Sequence, residues 1–315
     1  MLRGIAALLV VQVHLLNNLI VRGVFSPNLI TDFFKIWGDF GVDIFFVISG
    51  FVMAKSLEKS HNFWTFLYRR FFRIYPMYFL SVILLLIIHL SSKVEEISTI
   101  FLVKNFLLFP TFSRSEISMF LGPAWTLCFE VLFYFSCSLS FVFFPSSVNK
   151  RLCIVTFLLT VFSICLSSLF MTFIFGIFCW RCYKLLSHGV IQKLLIALTC
   201  SYVLVFYIVD ISLHSQLNSH RWLYFGMPAL ITVLVFTQLK FRNNFFEYLG
   251  TISFSIYLSH MALTVHIYGK FAEFLSLPFV VHFVLIICSS VFIGAIFYEM
   301  FEKPTMRRIK RIMNI

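Results

Sequence analysis

The sequence predicts an all-α, polytopic membrane protein of about ten transmembrane helices with both termini in the cytoplasm, and three observations carry that prediction. The first is composition: 60% of the 315 residues are hydrophobic and 12% are charged, against roughly 25% charged in soluble domains, and the mean hydropathy is +0.95. The second is that apolar stretches near the length of about 20 residues that a helix needs to cross a bilayer recur along the whole chain. The third is that Lys and Arg are divided unequally between the loops that join them.

Taken in order, the stretches read as spans lie at 4–20, 40–55, 73–90, 125–145, 152–169, 171–186, 191–209, 222–239, 252–268 and 279–299. Together they make one membrane domain over 1–315, with no separate soluble domain. The first has a single cation ahead of it and no small-residue cleavage site, so it reads as a retained helix rather than a signal peptide. Only small polar residues around Ser167 to Phe170 separate the fifth span from the sixth.

Charge placement orients the chain. With the amino terminus inside, the cytoplasmic segments hold Arg3, Lys55, Lys59, Arg69, Arg70, Arg73, Lys150, Arg151, Arg181, Lys184, Lys193, Lys240, Arg242, Lys303, Arg307, Arg308, Lys310 and Arg311. The other side holds only Arg22, Lys35, Lys93, Lys104, Arg114, Arg221 and Lys270. This bias is the positive-inside pattern, and it places the protein in the cell (inner) membrane as a multi-pass chain. The net charge of +12 is spread over membrane-flanking loops, which points to membrane lipid and away from nucleic acid. The eight cysteines lie mostly in apolar spans, and the lone Cys179-x-x-Cys182 pair lacks the second pair or histidines of a metal site, so no metal is expected.

Against this topology the depth of the polar residues is informative. His14 lies eleven residues after Arg3, which on a helix puts both on one face about 16 Å apart, so Arg3 marks a surface and His14 the interior. An ionisable group at that depth is a functional candidate, the structural alternative being interhelical hydrogen bonding. Glu130 in the fourth span sits about 10 Å below the outer surface by the same arithmetic, level with His14. A carboxylate beside an imidazole would orient the ring and stabilise its protonated form, as a general base working on a hydroxyl requires. At the inner surface Arg69, Arg70 and Arg73 join Arg3. Arginine forks suit phosphates, while a positive-inside anchor explains the same cations.

The chain resembles the acyltransferase 3 family of integral membrane acyltransferases. The residues that carry the resemblance are Arg3 to Ala7 with His14 at the Arg-x10-His spacing, the block from Gly41 to Phe51, Arg69 to Pro76, Trp125 to Glu130 followed by Phe133 and Tyr134, Tyr257 to His260, and Phe301 to Pro304. They follow the family's order along essentially the whole chain. The resemblance implies a ten-helix acyltransferase core that moves an acyl group, usually acetyl, from cytoplasmic acetyl-CoA to a hydroxyl of an extracytoplasmic or surface glycan, possibly lipid-linked. It implies an essential histidine at His14 and an arginine pair at Arg70 and Arg73 for the acyl-CoA, to which Arg69 and Arg3 are added as donor-binding candidates.

In that reading His14 is the base, or itself takes the acyl group, and Glu130 orients it. Asp43, Ser49, Trp125, Tyr134 and His260 are candidates for substrate binding; Asp43 alternatively caps a helix, and interhelical hydrogen bonding accounts equally for Ser49, Tyr134 and His260. A proton-coupled transporter or flippase for a lipid-linked glycan is the alternative from another class, since pumps also use buried His and Glu; the inverted repeats that would favour it are not found. Three features depart from the family pattern. Thr126 stands where Ser is common, only Met1 and Leu2 precede Arg3, and no hydrolase-like domain follows Glu302, so the chain would complete transfer itself or hand the acyl group to a separate protein. The outer loop from Ser91 to Pro123 is expected to be ordered by its Phe109-Pro110 and Gly122-Pro123 turns.

Overall fold

A computed structural model describes residues 1–60, 62–91, 98–108, 119–185, 221–238, 243–272, 274–275 and 277–312. Among these every regular element is helical: α1 (Leu2–Val21), α2 (Leu29–Lys59), α3 (Phe63–Ser91), α4 (Thr99–Phe106), a 3₁₀ turn (Gly122–Ala124), α5 (Trp125–Phe143), α6 (Val148–Cys165) and α7 (Phe170–Leu185). A π-helical turn (Trp222–Gly226) then leads into α8 (Met227–Gln238), and α9 (Asn244–Ser259) runs on through a π-helical stretch (His260–Tyr268) to α10 (Gly269–Ala272). The chain closes with α11 (Phe279–Phe297), a π turn (Tyr298–Glu302) and α12 (Lys303–Ile312).

The local signals for these boundaries are chemical. Helix α1 stops in a Schellman turn: the Val24 N–H donates to the Leu19 carbonyl at 2.9 Å, the Gly23 N–H to the Ile20 carbonyl at 3.0 Å, and Gly23 takes φ +72°, which glycine adopts without a Cβ penalty. The first turn of α2 is tied by Asn28 and Thr31, each accepting the other's backbone N–H through its side chain, at 3.0 and 2.8 Å. Asn62 caps α3 by accepting the Thr65 N–H, and Asn243 caps α9 by accepting from Phe245 and Phe246.

Among the described residues six segments are long and apolar enough to cross a membrane: Leu2–Val21, Thr31–Lys59, Phe63–Ile88, Gly122–Phe143, Val148–Cys165 and Phe279–Ile312. They correspond to the first five and the tenth spans read from sequence. Helices Phe170–Tyr183 and Trp222–Gln238 are apolar but shorter, and the ninth span is α9 continued in π geometry. The seventh, at 191–209, lies outside the described residues, as do Lys93, Arg114, Lys193, Lys240, Arg242 and the Phe109-Pro110 turn. The break between the fifth and sixth spans falls where sequence placed it, α6 ending at Cys165 and α7 starting at Phe170. Several helices begin earlier than hydropathy alone suggests, α2 at Leu29 and α3 at Phe63. Hydropathy registers only the apolar middle of each helix, whereas the caps lie in its polar ends.

The bundle is organised about α1, which packs on α2, α9 and α11 and keeps Ala6, Ala7, Val10 and Val11 almost fully buried. Phe157, Ile164, Val284 and Phe292 by contrast are more than half exposed, the inverse of a soluble surface and what lipid contact requires. Helices α2 and α7 meet backbone to backbone. A Cβ on Gly50 would strike the Phe173 carbonyl, and one on Gly176 the Val47 carbonyl and Gly50 itself. Without a hydrophobic force between helices in lipid, such close approach of small residues drives their association.

Gly50→Val is therefore expected to lower the thermal midpoint of the detergent-solubilised protein, at an overpacking cost of about 1–3 kcal/mol or more because the obstacle is backbone. Gly122→Ala, whose added carbon meets only the tip of Met261 at 3.5 Å, should melt close to wild type; equal melting of the two variants would refute the α2–α7 contact.

Candidate functional site

Helix α5 supplies the spine of the site. Thr126, Glu130, Tyr134 and Ser138 recur every four residues and so form one stripe along it. Its entry is built from Leu121, Pro123 and Ala124, all buried. Thr126 Oγ1, Tyr257 Oη and the Pro123 carbonyl oxygen form a closed triangle with sides of 2.7, 2.8 and 3.0 Å, which pins α9 to the start of α5. The two hydroxyl protons fill two of its three edges at a time.

One turn along, Glu130 accepts from Ser49 Oγ of α2 at 2.5 Å and from the Tyr134 hydroxyl at 3.2 Å. With Arg3, Thr126, Phe254 and Tyr257 it lines a narrow cavity. The charges of Arg73, Glu130 and Glu302 all act on Arg3, so the amino-terminal arginine and Glu130 belong to one electrostatic unit. Glu302, on the π turn before α12, is buried and accepts from Ser255 Oγ of α9 at 2.6 Å.

The next turn reaches the arginines of α3. Arg70 Nη2 donates to Ser56 Oγ at 2.7 Å, and its guanidinium lies 5.7 Å from the Tyr134 ring centre and 5.3 Å from that of Phe66, both within cation–π range. Its Nε is buried without a partner, so that N–H is unengaged. Arg70 and Tyr134 also wall an outward-opening apolar groove of about 520 Å³ between α3 and α5, rimmed by Trp64, Tyr68, Phe71 and Phe135; half-buried Arg69 does not line it.

On the other side of the Thr126–Tyr257 pair lie two histidines. The rings of His14 and His260 are 5.4 Å apart, centre to centre, at 37°. His260 is buried, with Nδ1 2.7 Å from the Tyr257 carbonyl. The site thus runs from Ser56 and Arg70, past Tyr134, Glu130 and Ser49, to Thr126 and Tyr257, and ends at His260 and His14.

Several placements differ from the sequence reading. Glu130 accepts from Ser49 and Tyr134, the ring beside His14 is that of His260, and no hydrogen bond joins Glu130 to His14 among the described residues. Depth arithmetic put the two level, whereas Glu130 lines one cavity with Arg3, at the start of α1 and eleven residues before His14. Asp43, fully buried, sits in an ion pair with Arg221 Nη2 at 2.8 Å, and the same nitrogen donates to the Asp39 carbonyl at 2.9 Å. Arg221 was counted as a loop cation; its one signal was position, a lone arginine opening an apolar run. Trp125 packs against Phe46 and Phe129. Ser56 was missed, although it lies seven residues after Ser49 on the same face of α2.

Residues 1–299, nearly the whole chain, match the family model described as an acyltransferase domain, that of the acyltransferase 3 family, and the chain belongs to that family. No curated protein and no solved structure matches it.

Removing one member of a buried ion pair leaves the other charge stranded, at roughly 3–5 kcal/mol, whereas apolar replacement of both is often neutral. Asp43→Leu should accordingly lower the melting midpoint sharply and Asp43→Leu/Arg221→Met should recover most of it; a single variant that melts like wild type would show that the pair is not structural.

Proposed function

From membership of this acyltransferase family of membrane proteins, we propose that the chain moves an acetyl group from cytoplasmic acetyl-CoA to a hydroxyl of an extracytoplasmic or surface carbohydrate, in the cell membrane and with both termini cytoplasmic. The observation that carries this reading is the continuous polar line through an otherwise apolar bundle, with cations at one end and imidazoles at the other. A charged nucleotide donor needs the first and a hydroxyl acceptor the second.

Donor phosphates bind at Arg70, Arg73 and Arg3, with Arg69 adding positive charge on the neighbouring turn of α3. Arg70 is held by Ser56 and by the Tyr134 and Phe66 rings with its Nε unengaged, a preorganised donor for a phosphate oxygen. Glu130 and Glu302 partly balance the three buried or half-buried arginines, which keeps Arg3 in place when no anion is bound. The pantetheine arm follows the α5 stripe, and the thioester reaches His14.

There His14 takes the proton of the acceptor hydroxyl as the oxygen attacks the thioester carbonyl, or attacks that carbonyl first and passes the acyl group on. In the first route the C–S bond breaks as a C–O bond to the sugar forms, and the departing thiolate receives the hydroxyl proton from the imidazolium; in the second a C–N bond to His14 forms as the C–S bond breaks, the sugar oxygen then forms the C–O bond as the C–N bond breaks, and the hydroxyl proton neutralises the thiolate. Glu130 acts on the donor path through Arg3 and Tyr134, not on the histidine.

Mass spectrometry of surface polysaccharide from cells with wild-type protein, with His14→Ala or with none should show an acetyl increment on a sugar for wild type alone at equal expression. Full modification by His14→Ala would remove its catalytic role, and unmodified glycan throughout would remove the reading itself. Arg70→Ala and Arg73→Ala should each weaken acetyl-CoA binding roughly ten- to hundredfold, from about 1.5–3 kcal/mol per charge-assisted hydrogen bond, as read by a titration of the purified protein.

A further inference from the structure

A histidine that takes a proton at one nitrogen needs the other held, because the hydrogen bond at that second nitrogen sets both tautomer and ring direction. No hydrogen bond reaches His14 from the described residues, and the carboxylate expected to serve it is committed elsewhere. The group beside it is His260.

The state of His260 follows from its partner. Nδ1 faces the Tyr257 carbonyl at 2.7 Å, and a carbonyl only accepts, so Nδ1 carries the hydrogen. In a neutral imidazole the other nitrogen is then bare. Nε2 is buried and has no partner, on a side chain 1% exposed. A bare acceptor left idle in an apolar interior costs free energy, and the adjacent polar ring is that of His14. The Tyr257 backbone is anchored in its turn, since the Tyr257 hydroxyl belongs to the triangle that ties α9 to α5.

We infer that His260 is the positioning residue of His14: its bare Nε2 accepts the N–H of His14 and leaves the second His14 nitrogen unprotonated and aimed at the acceptor hydroxyl. The inference rests on the transferase reading above and deepens it. During transfer the hydroxyl proton moves to the bare nitrogen of His14 and from there to the leaving thiolate, while His260 keeps its proton on Nδ1 and exchanges none. A neutral acceptor suits this position, since a carboxylate there would require a cation of its own at this depth.

Two measurements separate this inference from the reading beneath it. In membrane vesicles supplied with labelled acetyl-CoA, His260→Phe should lower turnover roughly 10²-fold, the scale of a misaligned general base, with KM for acetyl-CoA unchanged. His260→Gln, which brings an amide oxygen to accept the same N–H, should stay within a few-fold of wild type. Wild-type turnover in His260→Phe, or a change in KM alone, overturns the positioning role. If wild type transfers no acetyl group, the transferase reading falls, and ¹⁵N NMR of histidine-labelled protein in nanodiscs still decides the pair. The His260 Nε2 resonance should move to that of a free acceptor in His14→Phe, and an unmoved resonance overturns the contact.

Discussion

A polar group inside this bundle must be satisfied by protein, because the surrounding lipid offers no hydrogen bonds, and that requirement decides how the helices sit. Asp43 of α2 is met by Arg221 at the start of the π turn before α8. Ser49 of α2 is met by Glu130 of α5, and Ser255 of α9 by Glu302 before α12. Arg151 of α6 donates to the Ser60 carbonyl at the end of α2 while its guanidinium lies over Phe141 of α5. Each bond joins elements far apart in sequence, so each rules out rotations and slides of a helix that apolar contact alone would tolerate.

Glycine and π geometry do the finer positioning. Where α2 crosses α7, Gly50 and Gly176 let the backbones touch, which holds Ser49 against α5. The π stretches begin at Trp222, His260 and Tyr298, next to Arg221, at His260 itself and just before Glu302. A π turn rotates the side chains that follow it relative to an α-helical course and recurs at functional sites. Here it accompanies Arg221, His260 and Glu302.

The site divides its work by position along α5. The arginine end carries excess positive charge, moderated by Glu130 and Glu302, and can receive an anion without leaving an unbalanced cluster when empty. The middle is made of hydroxyls and one carboxylate that already satisfy one another. The histidine end pairs the His14 and His260 rings, with the buried His260 Nε2 facing no other described polar group. The three environments are assembled from α1, α2, α3 and α9 around the four-residue stripe of α5.

By itself the sequence determined the class and the rough course of the chain. Composition and twenty-residue apolar runs dictate membrane helices because a bilayer admits little else, and the Arg3, Gly41 to Phe51 and Arg69 to Pro76 segments carry the family. It also determined which residues are polar at depth, His14, Glu130 and Tyr134 among them, since a polar side chain in an apolar run is visible in one dimension. Only the tertiary structure decided their partners: His260 for His14, Ser49 and Tyr134 for Glu130, Arg221 for Asp43. Partnership depends on where each helix starts relative to its neighbours and how it is rotated. The turn from Gly122 to Ala124, pinned to α9 through Pro123 and Tyr257, is a property of packing that no count along one chain segment contains.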